Sequence, residues 1–261
     1  MGPPVDYDLV AAAYDKRYER NRYDGVEAVL SRFVGTSQTV RVAEVGCGTG
    51  HWLARLCDQG LRVAGLDRSH AMLQRARTSA PRALVVRGRA EELPWRSSAV
   101  DRLFCINALH HFADAQAFMR EARRVIRPDG SFMTIGLDPH TGRDDWWIYD
   151  YFPGAREADL ARFASTAVIR ERLEAAGFIG VATEVAQHFA AEVSFATAID
   201  RGMIDRRATS QFMVISDGEY EAGLQRLRTE QPTLKSDLRM YATIGRVPRH
   251  GAAVPGPTPR L

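Results

Sequence analysis

The segment Glu44-Val45-Gly46-Cys47-Gly48-Thr49-Gly50 constrains this chain more than any other. It follows Arg41–Val45 (RVAEV), an apolar run that reads as a short buried strand. It precedes Thr49–Gln59, whose apolar spacing is helical, with Gly60 as the C-cap residue. Glycines at a strand-to-helix junction let the main chain turn sharply and let a ligand touch the backbone without meeting a Cβ. In an open α/β sheet, such a junction lies in the crevice at the carboxyl ends of the strands, where ligands bind.

The pattern then repeats. Arg62–Leu66, Ala83–Arg87, Val100–Ile106 and Ser131–Gly136 read as strands. Ser69–Ser79, with Ser69 as N-cap, and Ala115–Ile126 read as helices, and Arg127-Pro128-Asp129-Gly130 as a turn. Short strands alternating with helices predict a parallel sheet covered on both faces. Beyond Leu137 the spacing predicts helices at 156–176, 193–207 and 217–228, and strands at 179–185 and 239–247. The first 35 residues have an amphipathic helical pattern through Tyr7, Leu9, Val10, Tyr14 and Tyr18, and the Pro-, Gly- and Ala-rich residues 248–261 read as a flexible tail. The expectation is one domain over 1–247. Its core spans about 38–137 and 177–247, with an N-terminal lid at 1–35 and a cap at about 138–176 and 187–228.

Composition narrows the class. A 45% hydrophobic and 26% charged chain of 261 residues excludes disorder as a global description. No apolar run approaches the roughly 20 residues that span a bilayer, and the acidic N-terminus MGPPVDYDLV does not read as a signal peptide. A cytoplasmic protein without a membrane partner is expected. Cys47, Cys57 and Cys105 have neither metal-ligand nor disulfide spacing and read as buried apolar residues. The net charge of +3 comes from arginines interleaved with acids, which is not a nucleic-acid footprint.

Asp67 ends the second strand, 21 residues beyond Gly46, near the spacing at which an acid accepts ribose hydroxyls. A nucleoside-containing ligand is implied. A dinucleotide fingerprint would need glycine at position 51, where His51 stands, and the acid Glu44 before the turn repels a pyrophosphate. A cationic, zwitterionic nucleoside such as S-adenosylmethionine suits these residues better than NAD.

At this point the sequence resembles the class I S-adenosylmethionine-dependent methyltransferases, in particular their small-molecule branch related to the ubiquinone/menaquinone biosynthesis enzymes. The matching pieces are VRVAEVGCGTGHWLARL, VAGLDRSHAMLQRAR, VVRGRAEELPW, VDRLFCINALHHF and EARRVIRPDGSF, in family order over about residues 38–137. The resemblance implies a Rossmann-like, seven-stranded, mostly parallel sheet with an antiparallel last strand, helices on both faces and a helical, aromatic lid. It implies S-adenosylmethionine as cofactor, S-adenosylhomocysteine as product, no metal, and a small-molecule acceptor. Gly46, Cys47 and Gly48 would contact the methionyl part, Glu44 its ammonium and Asp67 the ribose. Arg68 and Met72 would flank the adenine, Ala90 and Glu91 would meet its edge, and the Asn107 main chain would lie near the methionyl amino group. Arg89 departs from the family, which commonly carries an aspartate there to accept from the adenine amino group. Arginine has only donors, so it would stack on the ring or leave the contact to Glu91.

Methyl transfer from a sulfonium is an in-line displacement in which the nucleophile must approach within about 3–3.5 Å. A hydroxyl acceptor needs a base, and an amine can do without one. His110 and His111 follow the fourth core strand and stand either as proton acceptors or as pocket lining. Tyr14 and Arg22 on the N-terminal segment are candidate cofactor contacts, with His51 a further candidate for the methionyl carboxylate. Trp146, Trp147, Tyr149 and Tyr151 are candidate acceptor contacts, with a structural mini-core as their other reading. Arg201, Arg206 and Arg207 read as a solvated face unless the acceptor is anionic. The function expected is O-methylation of a natural product by a monomer or homodimer. The alternatives are N- or C-methylation, or a cofactor-binding regulator without turnover.

Overall fold

The computed structural model describes Asp8, Ala11 and residues 14–249. Tyr7, Leu9 and Val10 of the expected N-terminal pattern, and 250–261 of the expected tail, lie outside the described residues. Five parallel strands form the heart of the sheet: β1 (Arg41–Val45), β2 (Arg62–Asp67), β3 (Leu84–Arg87), β4 (Val100–Ile106) and β5 (Ile126–Leu137). Their order is β3-β2-β1-β4-β5. The chain runs outward from β1 to β3 and then returns to the other side of β1, so a crevice opens between the carboxyl ends of β1 and β4.

Side-chain alternation along β4 shows how both faces are closed. Phe104 and Ile106 pack with Val26, Leu30, Trp52 and Leu53, from α2 (Asp24–Val34) and α3 (His51–Asp58). Leu103 and Cys105 point to the opposite face, against Phe118 and Met119 of α5 (Ala115–Val125) and Leu173 of α8 (Thr166–Ala175). Burial on both faces is what makes these strands read as apolar runs. A short helix, α1 (Lys16–Arg20), precedes α2, and α4 (His70–Ser79) follows β2, with Ser69 Oγ accepting from the Met72 amide at 3.0 Å as expected of an N-cap.

The far side of the sheet is antiparallel. β8 (Thr233–Arg246) pairs with β5 from Ser131/Arg246 to Leu137/Met240. Its other edge carries β7 (Ile179–Ser194), from Ile179/Arg246 to Ser194/Thr233. The two-residue β6 (Asp145–Trp146) meets β8 at Asp237 and Ser236, beyond the end of β5. The sheet therefore has eight strands among the described residues, against seven expected. The strand expected at 179–185 runs on to Ser194, which shortens the helix expected at 193–207 to α9 (Phe195–Asp200). The expected turn at 127–130 is an irregularity inside β5, where the register slips between Val100/Ile126 and Arg102/Ser131 and Asp129 takes a φ of 63°.

The remaining helices are α6 (Trp147–Tyr151), α7 (Pro153–Arg162), α10 (Ser210–Met213) and α11 (Asp217–Glu230). With α9 they build a cap with its own core: Trp147, Phe152, Phe195, Phe212, Leu224 and Leu227 are buried together. The helix expected over 156–176 is two helices, α7 and α8. No helix among the described residues is long and apolar enough to cross a membrane.

Candidate active site

The turn after β1 takes the form the glycines suggested. Gly46 and Gly48 have φ of 76° and 52°, a region that side chains other than glycine adopt at a cost. A Cβ on Gly46 would come within 2.5 Å of Ala108 Cβ. The Gly48 amide donates to Asp67 Oδ2 at 2.8 Å and the Ser69 amide to Oδ1 at 2.9 Å. Asp67 is thus held by two main-chain donors at the end of β2, with lone pairs left to accept from a ligand. Burial raises its pKa against the pull of these amides.

Glu44 lies under the turn and is 1% exposed. Its Oε2 has no hydrogen-bond partner among the described residues. Burial, with the Asp67 charge adding to it, pushes the Glu44 carboxyl well above the usual carboxylate range. A buried acceptor oxygen without a donor is unfavourable until a donor arrives, and the ammonium of S-adenosylmethionine is such a donor. The residues present fit that cofactor. Cys47 is buried with its sulfur toward Gly65, so only its main chain serves the turn.

A cavity of about 520 Å³ opens over the turn. It brings together Tyr14, Gly46, Gly48, Asp67, Arg68, Met72, Arg89, Ala90, Glu91, Asn107 and His111 from the residues expected, and adds Leu66, Gly88, Ala108 and Phe112. Asn107 holds the left-handed conformation, φ 52°, at the end of β4, and its amide donates to Ile135 O at 2.8 Å. Strain of this kind in a non-glycine residue is concentrated at ligand sites. At the outer end, Arg89 Nε meets Glu91 Oε2 at 3.3 Å, while Glu91 Oε1 accepts from the Ala113 amide at 2.7 Å. Glu91 thereby pins the loop after β4. Burial pushes its carboxyl up, but its own amide, those of Asp114 and Ala113, and Arg89 together hold it below the ordinary value.

The N-terminal segment corrects one expectation. Arg22 does not reach the cavity: its side chain is 89% exposed and pairs with Asp24 at 2.9 Å. Arg17 holds the inward position instead. Its Nη1 donates to Tyr14 Oη at 2.6 Å, and its guanidinium lies 4.8 Å from the Tyr14 ring centroid and 5.4 Å from that of Tyr18. Arg17 and Tyr18 follow Tyr14 by three and four residues, the spacing that could have pointed to Arg17. His51 stacks on Tyr18 at 3.5 Å and does not line the cavity, and burial, aided by Arg55, lowers it to about 4.

His110 and His111 stand side by side, ring centroids 3.9 Å apart, on a single tight turn after β4. His111 faces the first cavity. His110 stacks on Phe163 at 3.9 Å and faces a second cavity of about 310 Å³, which shares Ala108, Phe112 and Ala113 with the first. Burial lowers both rings, with Arg162 and Arg17 acting in the same direction on each. His111 falls to about 3 and His110 well below the ordinary value. Both imidazoles are therefore neutral near pH 7.

The cap aromatics also depart from expectation. Trp146, Trp147, Tyr149 and Tyr151 line neither cavity. Trp147 is 3% exposed in the cap core, and Trp146 meets Tyr149 edge-on at 5.3 Å. Tyr149 Oη donates to Asp159 at 2.8 Å and Tyr151 Oη to Glu230 at 2.7 Å. They pack in the mini-core of the cap. Arg206 spends its guanidinium on Phe212 O, Ile215 O and Asp217. The second cavity is walled instead by residues sequence reasoning passed over, Arg162, Phe163, Arg172, Thr134 and Tyr241. Among the described residues no group of three or more His, Cys, Asp or Glu is placed to hold a metal ion.

A family model described as a methyltransferase domain matches residues 43–134, which contain the glycine turn, Asp67, the Arg89–Glu91 segment and the histidine pair. The chain is 31% identical over 156 residues to a probable S-adenosylmethionine-dependent methyltransferase of Mycolicibacterium smegmatis, covering 58% of this chain and 57% of that protein. Residues 43–134 thus match a methyltransferase domain, and the chain is similar to S-adenosylmethionine-dependent methyltransferases. The chain is also similar to the malonyl-[acyl-carrier protein] O-methyltransferase of Erwinia pyrifoliae, 30% identical over 165 residues, covering 63% of this chain and 62% of that one. The chain thus spans less than two thirds of the length of these curated relatives. Among solved structures, a putative methyltransferase from an antibiotic biosynthesis pathway of Anabaena variabilis superposes with a TM-score of 0.65 at 24% identity, over 84% of this chain and 95% of that one. That likeness is one of fold.

Proposed function

We propose that this chain transfers the methyl group of S-adenosylmethionine to oxygen on a small organic acceptor of secondary metabolism, releasing S-adenosylhomocysteine. The observation that carries the reading is Glu44 Oε2, a buried acceptor without a donor, beneath a glycine turn whose neighbouring strand ends in the tethered Asp67. Glu44 receives the ammonium, directly or through water, and the main chain of Gly46, Cys47 and Gly48 carries the methionyl part. Asp67 accepts from the ribose. Arg68, Met72, Arg89, Ala90 and Glu91 border the adenine, and Asn107 and Tyr14 close the methionyl side. The cofactor, when bound, supplies the activated carbon.

The protein's own part is positioning and proton handling. His111 faces the cofactor cavity and His110 the second cavity, which receives the acceptor. A neutral imidazole between the two accepts a hydroxyl proton as the acceptor oxygen attacks. A nitrogen or carbon acceptor would leave the histidines as walls. The cytoplasm is the compartment proposed, and monomer or homodimer the state.

Calorimetry with S-adenosylhomocysteine, followed by transfer of labelled methyl to a panel of phenols, amines and carbon nucleophiles, tests the reading. Saturable binding with label on a hydroxyl supports it. Absence of binding overturns it, and binding without turnover on any acceptor points to a cofactor-binding regulator.

A further inference from the structure

Among the described residues, four buried side-chain nitrogen and oxygen atoms lack a hydrogen-bond partner. One is Glu44 Oε2. The other three are Arg162 Nε, Arg162 Nη1 and Tyr241 Oη. These two residues lie far apart in sequence, at the end of α7 and on β8, yet they line the same cavity, the one that His110 faces. Buried donors without acceptors are rare in folded proteins, and each asks for an explanation. The partner that Arg162 does have is already fully engaged. Asp159 is 0% exposed and takes Arg162 Nη2 on Oδ1, while its Oδ2 accepts from Tyr149 Oη and Gln211 Nε2, each at 2.8 Å. Asp159 therefore fixes the guanidinium through Nη2 and pairs with neither Nε nor Nη1.

Resting on the methyltransferase reading, we propose that the second cavity binds the acceptor by an anionic group, a carboxylate or a phosphate monoester, received by Arg162 and Tyr241. An oxyanion supplies acceptors and no donors, which is what two arginine nitrogens and a phenol lack. The one carboxylate on the cavity wall, Asp114, is committed to capping the Ala117 amide at 2.9 Å, and Arg172 adds a second cation to the wall. Arg162 lines this cavity and not the first, so an anion held there is set back from the wall the two share. The anionic group is thus the handle of the acceptor, and the methylated atom is presented toward Ala108 and Phe112.

Calorimetry on the full chain saturated with S-adenosylhomocysteine tests the proposal, with 4-hydroxybenzoate, phenyl phosphate and the neutral 4-hydroxybenzamide as probes. We expect saturable binding of at least one anion, about 10-fold or more tighter than the amide. The preferred anion tells carboxylate from phosphate. Arg162→Lys and Tyr241→Phe should each weaken the anion by about 10-fold while leaving affinity for S-adenosylhomocysteine unchanged. Tyr241→Phe, which removes a single unpaired hydroxyl, serves if the arginine variant fails to fold. Equal affinity for charged and neutral probes, no binding of any probe, or full anion affinity in folded variants would overturn the proposal. Failure of S-adenosylhomocysteine itself to bind would instead sink the methyltransferase reading.

Discussion

Gly48 N lies 2.8 Å from Asp67 Oδ2, so the residue assigned to the ribose also ties the glycine turn to the neighbouring strand. Asp67→Ala loses both the ligand contact and the tether. At about 1.5–3 kcal/mol for each hydrogen bond to a charged group, affinity for S-adenosylhomocysteine should fall by about 100-fold or more. Calorimetry reads the loss, and circular dichroism should show the fold retained. Unchanged affinity would remove Asp67 from the site.

Glu44 links binding to protons. Its folded-state pKa is raised by burial, with Asp67 adding to the shift, so the folded chain keeps a proton that the unfolded chain releases. Its effect on stability therefore appears as pH rises above the ordinary glutamate value, and stability declines until the raised value is passed. An arriving ammonium favours the carboxylate, so cofactor binding in that window should release a proton. Calorimetry in buffers of different ionisation enthalpy measures it. Glu44→Gln should abolish the release, weaken binding, and raise the melting temperature of the free protein at neutral pH.

The histidine pair gives the opposite sign at the acid side. Both pKa values are lowered, His111 to about 3, so the unfolded chain takes up protons that the folded chain refuses. Stability should fall by roughly 1.4 kcal/mol per pH unit for each histidine as pH drops below about 6. His111→Gln should make that decline shallower in denaturant titrations from pH 7 to 4. Turnover of the folded enzyme should show no inflection near pH 6.5 from either ring, and one there would exclude the neutral assignment.

Phe152 separates cap stability from chemistry. It is 0% exposed and meets Phe212 at 4.8 Å. Phe152→Ala should cost about 3–5 kcal/mol by leaving a cavity in the cap. Affinity for S-adenosylhomocysteine should stay at the wild-type level, since no residue of this cluster lines the cofactor cavity. A matching loss of cofactor affinity would show that the cap and the crevice are one unit.

The parallel half of the molecule and its glycine turn were legible in the sequence because their determinants are local. A glycine turn, an acid 21 residues on and strands buried on both faces leave marks within short windows. Of the long ribbon of β7 and β8 only 179–185 and 239–247 were legible; Gln187–Ser194 lies on a largely exposed surface without a buried residue, and its partner stretch at Thr233–Met240 is some 40 residues away. Trp146 to Tyr151 were misplaced because an aromatic cluster looks the same whether it packs on itself or on a ligand. Arg17 was not legible, because Arg22 falls on the same helical pattern and only the fold shows which arginine turns inward. Arg162 carried one signal that went unused, its spacing of three from Asp159 on a helix.

β8 borders β5, β6 and β7 at once. It is also the last strand among the described residues. During synthesis, neither the parallel half nor the cap can reach its final pairing until Arg246 has left the ribosome, so the nascent polypeptide must wait with the edge of β5 uncovered. A stall before β8 has emerged would leave that edge open to other chains.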